Sequence, residues 1–524
     1  MMTDDQSAVI EFLSQPSTHG GATVERIETH ASIVFLAGAR ALKLKRAVRY
    51  DYLDFSTVDR RKAMCEAELR INRRAAPDLY RRVTAVTRGS DGALALGGSG
   101  QAVDWLVEMR RFDQEGLLDR LASRQALSVD LMEALASEIG RFHQGAEPRT
   151  DHGGASGLAW IIDGNAAGFT EQGAGMLDRS RCEEVTRQAR RALDRQAPLL
   201  DARRAAGRVR QCHGDLHLRN IVLIDGRPTL FDAVEFNDEI ACIDVLYDLA
   251  FLLMDLWRRE LPRHANALWN RYLTEADELD GLSLMPLFLS CRAAIRAKTS
   301  ATAARLQGDS SRRAELEGLA RRYLDIARQL LRPADPALVA IGGLSGSGKS
   351  VLAKTLAPSI GPVPGAVVIR SDEIRKQLCG VGPLDRLGPE GYRSDISRRV
   401  YATVAERASR VVKRGHAAIA DAVFARPADR DAIEQAARDA GVPFAGIWLE
   451  APESVLLSRA DQRRNDPSDA DAAVVRLQHG EDTGPIHWSR VDASGSAASA
   501  LAKATDRVRA RVPDVFNELA TEIR

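Results

Sequence analysis

The sequence predicts two consecutive domains of different class, an α+β half followed by an α/β half with a parallel sheet. Three observations carry this. The first part places short β-prone runs before a long helix-rich stretch, whereas after Arg332-Pro333-Ala334-Asp335-Pro336 strands and helices alternate. Two prolines so close together also disfavour a helix running through that segment. Finally, 524 residues are enough for two complete cores. The expected boundaries are residues 1–332 and 335–510.

In the first half, Ile33 to Leu36 and Ala41 to Lys45 are apolar, β-prone runs flanking Ala37-Gly38-Ala39-Arg40, which suits a hairpin. A charged helix is expected from Thr57 to Arg74, ending before Pro77, and a strand around Val103 to Met109. From Ser128 to His143 the spacing of Leu131, Leu135, Ile139 and Phe142 puts an apolar stripe on one helix face. Ile221 to Ile224 and Thr229 to Phe231 read as strands around a turn at Asp225-Gly226-Arg227-Pro228. Beyond Asp244 the chain is mostly helical to Leu331.

In the second half, Leu338 to Ile341, Ala366 to Ile369, Ala417 to Ala420 and Phe444 to Leu449 are apolar strands separated by helical stretches such as Arg398 to Arg414. Alternation of this kind implies βαβ units and a parallel sheet covered on both faces.

Charge and cysteine content narrow the function class. The chain carries 73 Lys and Arg against 72 Asp and Glu, and from Asp335 onward the balance is 26 against 25. Neither half is a basic module, which argues against a general nucleic-acid binder. The six cysteines form no CxxC or Cys/His metal spacing and read as reduced thiols. The acidic, polar start is unlike a signal peptide, and no apolar run approaches the roughly 20 residues that span a bilayer. A cytoplasmic protein with no membrane partner is expected.

Two motifs carry chemistry. The first is His213-Gly214-Asp215-Leu216-His217-Leu218-Arg219-Asn220, followed by Phe231-Asp232. An Asp and an Asn five residues apart at one bend can orient an acceptor hydroxyl and ligate a metal, with a second Asp on the following hairpin. The motif resembles the aminoglycoside phosphotransferase family, which has Gly where protein kinases have Arg. The resemblance implies a protein-kinase-like bilobal fold for this half and Mg²⁺-dependent use of ATP. It implies Asp215 as catalytic base and Asn220 and Asp232 as metal ligands, with Asp248 supporting the loop. It also implies a strand lysine paired with a helical glutamate on the ATP phosphates. Ala41-Leu42-Lys43-Leu44-Lys45 offers two lysines on one strand face; Lys43 is preferred by its place in the hairpin, with Lys45 as alternate. Glu68 is preferred to Glu66 as its partner, and Asp104 to Met109 is the segment expected to receive adenine. Thr29-His30-Ala31-Ser32 stands where a glycine-rich loop would, a departure that leaves open how the phosphates are covered.

The second motif, Gly343-Leu344-Ser345-Gly346-Ser347-Gly348-Lys349-Ser350, follows an apolar strand and is a Walker A loop. Gly343, Ser345, Gly346, Ser347 and Gly348 are expected to present backbone N–H groups to phosphates at a helix N-terminus. Lys349 would reach the β/γ oxygens, and Ser350 a metal ion. Ile369-Arg370-Ser371-Asp372-Glu373-Ile374-Arg375 places a carboxylate at the carboxyl edge of the sheet, where ligands bind. This half resembles the small P-loop kinases, the polynucleotide-kinase, zeta-toxin-like and gluconate-kinase groups. The resemblance implies Asp372 as base toward the acceptor and Arg375 as a substrate contact. Asp421 falls in a Walker B-like position as a metal ligand. Arg459, Arg463 and Arg464 fall on a charged segment suited to a catalytic lid.

The order of the two halves is similar to a bacterial family of bifunctional phosphotransferase and ATP-binding proteins. It implies two ATP/Mg²⁺ sites transferring the γ-phosphoryl group to small-molecule hydroxyls. Asp151 to Leu200, the segment expected to line the acceptor groove, mixes both charge signs. A sugar or amino sugar therefore suits it better than a polycationic aminoglycoside. Two alternatives remain, a single kinase with a regulatory nucleotide-binding P-loop domain, and a kinase of nucleic-acid 5′-hydroxyl ends.

Overall fold

The structure, a computed structural model, describes residues 4–50, 52–461, 467–469, 471–480 and 482–517. Two compact units emerge from its contacts. One comprises Met1–Gly164 and Leu193–Asp255, the other Asn165–Ala192 and Leu256–Arg524. The second unit thus takes in a helical segment that precedes the proline-bracketed linker.

The first unit is built on a six-stranded antiparallel sheet. Its strands are β1 (Val24–Glu28), β2 (Ser32–Ala37), β3 (Arg40–Lys45), β4 (Tyr80–Arg88), β5 (Leu94–Leu96) and β6 (Gln101–Arg110), in the order β1-β2-β3-β6-β4-β5. The β2–β3 hairpin falls where the two apolar runs predict it. Gly38 turns it with φ +55°, a left-handed conformation that suits glycine. Between β3 and β4 lies helix α1 (Val58–Asn72), whose start is fixed by Thr57 Oγ1 accepting the Arg60 N–H. Ser128 caps α2 (Val129–Gln144) in the same way, and the predicted apolar stripe of that helix buries Leu135, Ile139 and Phe142. The β7 (Ile221–Ile224) and β8 (Arg227–Leu230) hairpin is closed by Asp225 and Gly226, both at positive φ. Helix α3 (Val245–Arg258) follows.

One expectation fails. Asp104 to Met109 do not form a segment open to adenine; they lie inside β6, paired to β4 and, from Leu106 on, to β3 on the other side. Asp104 is buried against Arg61 at 2.8 Å. A strand flanked on both sides has its backbone polar groups committed, and the chain leaves the sheet only after Arg110.

The second unit contains a five-stranded, all-parallel sheet. Its strands are β9 (Leu338–Gly343), β10 (Val367–Arg370), β11 (Ala418–Asp421), β12 (Phe444–Glu450) and β13 (Ser489–Asp492), in the order β10-β11-β9-β12-β13. Every residue of β9 is buried, as its unbroken apolar run requires of a central parallel strand. Helices α4 (Pro262–Ala276), α5 (Met285–Leu306) and α6 (Ser310–Leu330) belong to this unit, before β9. Helix α4 reaches the edge strand β10. Asn270 Oδ1 accepts the Val368 N–H at 2.6 Å, and the Asn266 side-chain amide donates to Pro364 and Ala366 carbonyls at 3.1 Å each. These contacts satisfy backbone groups that an uncovered edge would leave exposed.

Candidate functional site

In the first unit, strand alternation puts Lys43 and Lys45 on one face of β3. Glu68 of α1 is fully buried beneath them and bonds both, Oε1 to Lys43 Nζ at 2.8 Å and Oε2 to Lys45 Nζ at 2.6 Å. Glu66 is exposed and lies 3.9 Å from Lys62. The two lysines differ in what else they touch. Lys43 Nζ reaches Asp232 Oδ1 at 2.5 Å, while Lys45, 1% exposed, is paired with Glu235. Burial works against both ammonium charges, but Asp232 and Glu68 outweigh it at Lys43, and Glu235 and Glu68 do so at Lys45, so both pKa values are raised. Burial pushes the Glu235 carboxyl up. The more accessible lysine therefore sits on Asp232, and the deeper one ties the sheet to Glu235, three residues further along the chain.

The loop itself is held by its backbone. Asp248, at the start of α3 and fully buried, accepts the His213 N–H at 3.0 Å and the Gly214 N–H at 2.9 Å. Gly214 needs its φ of +80°, and a Cβ there would lie 3.2 Å from the Ile240 carbonyl oxygen. Asp215 projects from this bend. Its Oδ2 accepts from Asn220 Nδ2 at 3.0 Å and lies 3.3 Å from His217 Nε2. Asp232 adopts φ +62° and donates its N–H to Tyr80 Oη at 3.0 Å, while the next N–H, of Ala233, goes to Asn72 Oδ1 at 2.9 Å. Asp215 bonds Asn220, and Lys43 bonds both Glu68 and Asp232; the two groups are joined through the backbone, the Phe231 N–H donating to the Asn220 carbonyl at 3.1 Å. Oxygen donors of the Asn220 and Asp232 type suit a hard cation such as Mg²⁺.

In the second unit, the loop from Gly343 to Gly348 joins β9 to helix α7 (Lys349–Leu356). Gly346 has φ +85°, and a Cβ there would approach the Leu456 carbonyl oxygen to 2.4 Å, so only glycine fits. The Ser345 N–H donates to Gln478 Oε1 at 2.9 Å, and Lys349 Nζ donates to the Leu344 carbonyl at 3.0 Å. Ser347 Oγ is buried with no hydrogen-bond partner among the described residues. An orphaned hydroxyl inside a ring of backbone amides suits an anion.

Asp421 ends β11, next to the Walker strand, and is 4% exposed. It shares a partner with Ser350, the guanidinium of Arg370 at the end of β10. Arg370 bonds Asp421 at 3.3 Å, Ser350 Oγ at 3.1 Å and Glu373 at 3.2 Å. Asp372 is half-buried in the first turn of helix α8 (Ser371–Cys379), which uses no side-chain cap. Arg375 is buried, donating to the Gly391 carbonyl at 2.7 Å and lying over the Tyr392 ring. The Arg459 guanidinium is bonded to the Ala493 and Gly495 carbonyls, at 2.8 Å each. Arg463 and Arg464 lie outside the described residues. Lys376, from α8, pairs with Asp469 at 3.1 Å.

Sequence reasoning missed several residues of these clusters. Glu235 was within reach as a carboxylate three positions after Asp232. His143, one residue past the apolar stripe of α2, is buried and bonds Asp248 at 3.1 Å. Nothing local to α2 marks that contact, since its partner lies about a hundred residues away. Arg370 carried a signal, a charge closing an otherwise apolar strand just before Ser371-Asp372.

Residues 55–283 match the phosphotransferase enzyme family, and residues 338–481 match the AAA domain family. An uncharacterized protein of Mycobacterium tuberculosis is 28% identical over 491 residues, covering 91% of this chain and 94% of its own length. The adenylyl-sulfate kinase of Myxococcus xanthus is 30% identical over 118 residues, 22% of this chain and 59% of that enzyme. Among solved structures, a choline/ethanolamine kinase family protein from Mesorhizobium loti is 14% identical, with a TM-score of 0.37 over 63% of this chain and 99% of that one. A gluconokinase from Sinorhizobium meliloti is 21% identical, with a TM-score of 0.26 over 34% of this chain and 95% of that one.

Proposed function

We propose that this enzyme, a kinase joining a domain of the phosphotransferase enzyme family to a P-loop AAA domain, has two separate ATP sites and transfers the γ-phosphoryl group to a small-molecule hydroxyl. One observation carries the reading. Each unit pairs residues that the two motifs single out, Lys43 with Asp232 and Asp215 with Asn220 in the first, and Ser350 with Asp421 through Arg370 in the second, which supports a phosphate and metal site in each.

In the first site, Asp215 orients the acceptor hydroxyl and takes its proton as the bond to phosphorus forms. Its hydrogen bond from Asn220 holds the carboxylate at the loop's tip. Lys43, positioned by Glu68, grips the ATP phosphates. Asn220 and Asp232 would hold Mg²⁺, whose contribution is to neutralise phosphate charge. In the second site, the Gly343–Gly348 amides and Lys349 bind the phosphates, Asp372 receives the acceptor proton, and Ser350 and Asp421 would hold the metal ion. The proposed boundaries of the two halves are residues 1–332 and 335–510. The acceptor we favour is a sugar or amino sugar, on the mixed charge of Asp151 to Leu200.

The test is ADP release across sugars, amino sugars, nucleosides and aminoglycosides, using wild type, Lys349→Ala and Asp215→Asn. Distinct acceptors lost separately in the two variants support two kinase sites. Acceptor-stimulated release that Lys349→Ala leaves intact, with none assigned to the P-loop half, would favour a regulatory P-loop domain instead.

A further inference from the structure

Arg370 has no part in the phosphate chemistry described above, yet it is a buried cation bonded to three side chains of the P-loop site. Its guanidinium is 3% exposed and spends three nitrogens on three different side chains. Nε goes to Asp421 Oδ2 at 3.3 Å, Nη2 to Ser350 Oγ at 3.1 Å, and Nη1 to Glu373 Oε1 at 3.2 Å. Two of these partners, the Walker A hydroxyl and the carboxylate ending the adjacent strand, are the pair read above as metal ligands. They converge on one cationic group already.

A hydroxyl and a carboxylate are hard oxygen donors, so the pair fits Mg²⁺ by chemistry. A guanidinium bonded to both, however, fills the space on which they converge. Mg²⁺ holds oxygens at about 2.0–2.1 Å and needs near-octahedral room. An ion at Ser350 Oγ and Asp421 Oδ2 competes with an arginine fork at hydrogen-bond distance, and like charges at such separation repel strongly away from bulk water. Burial does not allow Arg370 simply to be left unpaired either. Glu373 resolves this. It lies one turn along from Arg370, is 24% exposed at its side chain, and already takes one guanidinium nitrogen.

We propose that Arg370 is a built-in cation that holds Ser350 and Asp421 together, and that a divalent ion binds to them only by displacing the guanidinium toward Glu373. Metal binding at the P-loop site is therefore a competition between an external ion and an internal one. Because Arg370 ends β10 and directly precedes the helix that carries Asp372, displacement acts at the edge of the sheet where the acceptor is expected.

The proposal rests on the reading of this half as a nucleotide site, and the two are tested apart. Binding of Mn²⁺ without nucleotide is followed by electron paramagnetic resonance on the full chain. Arg370→Met should bind Mn²⁺ at least about tenfold more tightly than wild type, and adding Asp421→Asn should abolish the gain, which separates it from any metal held by Asn220 and Asp232. Arg370→Lys keeps one positive charge without the three-way fork and should fall between the two. Equal affinity in Arg370→Met and wild type, or a gain that survives Asp421→Asn, overturns the proposal. If Arg370→Met does not melt cooperatively, Arg370→Lys decides, and an affinity equal to wild type overturns it. ADP binding that is lost in Lys349→Ala is the independent check on the site itself; its absence defeats the nucleotide reading whatever Mn²⁺ does.

Discussion

Asp215 and Glu68 carry different burdens in the first site, and substitution separates them. In the proposed function Asp215 serves the acceptor and not the nucleotide, so Asp215→Asn should leave nucleotide affinity in place. In a Lys349→Ala background, which silences the other half, phosphoryl transfer should fall by about 10²–10⁴-fold. Undiminished turnover there removes Asp215 from the reaction. Glu68 is fully buried between two ammonium groups, and Glu68→Gln leaves Lys45, at 1% exposure, with Glu235 alone. Breaking a buried ion pair by removing one partner costs about 3–5 kcal/mol. Urea unfolding of the first transition should show a loss of that order. A change below about 1 kcal/mol would place this network among exposed pairs of little consequence. The catalytic loop and the Walker loop were legible because each packs its chemistry into eight contiguous residues. The Glu68 network was half legible: alternation named the two lysines, but only the fold shows that one carboxylate serves both.

At the scale of elements, the P-loop sheet contains a pH-sensitive joint. His416 stands two residues before β11 in a buried position, with its ring 6.2 Å from that of Trp269 on α4. Burial lowers its pKa from 6.5 to about 4. The unfolded chain therefore binds the proton more readily. Stability from the neutral ring is full above pH 6.5 and is lost as pH falls toward 4. The shift corresponds to about 3 kcal/mol. His416→Leu should flatten the stability of the second unit over that window, as followed by thermal melts between those limits. An unchanged acid limb would mean that another group is responsible. Helix α4 is the less expected partner of this sheet. Its asparagines look like ordinary helix-surface residues in sequence, and their hydrogen bonds to β10 join residues about a hundred positions apart. Asn270→Leu removes the acceptor of the Val368 N–H and should cost about 1–3 kcal/mol; a neutral result in urea unfolding would show that water replaces it.

For the whole molecule, this contact sets where the chain can be cut. The proline-bracketed linker at Pro333 and Pro336 is a boundary in sequence, but a fragment starting at Asp335 leaves β10 without its asparagines. A fragment starting at Leu256 keeps them. The longer piece should melt at higher temperature and stay soluble at concentrations where the shorter one associates through its uncovered edge. Equal melting temperatures would show that α4 contributes nothing to the P-loop fold. The division into an α+β and an α/β half was readable from the order of strands and helices. The assignment of α4, α5 and α6 to the second compact unit was not, because an amphipathic helix announces that it packs without naming its partner.

Counting nucleotides tests the two-site reading most directly. Equilibrium dialysis of labelled ADP with Mg²⁺ against the full chain should reach two equivalents bound. Lys349→Ala should reach one, and Asp232→Asn combined with Lys349→Ala should fall well below one at the same ligand concentration. A wild-type chain that saturates at one equivalent, or a Lys349→Ala variant that binds as many as wild type, contradicts two independent ATP sites.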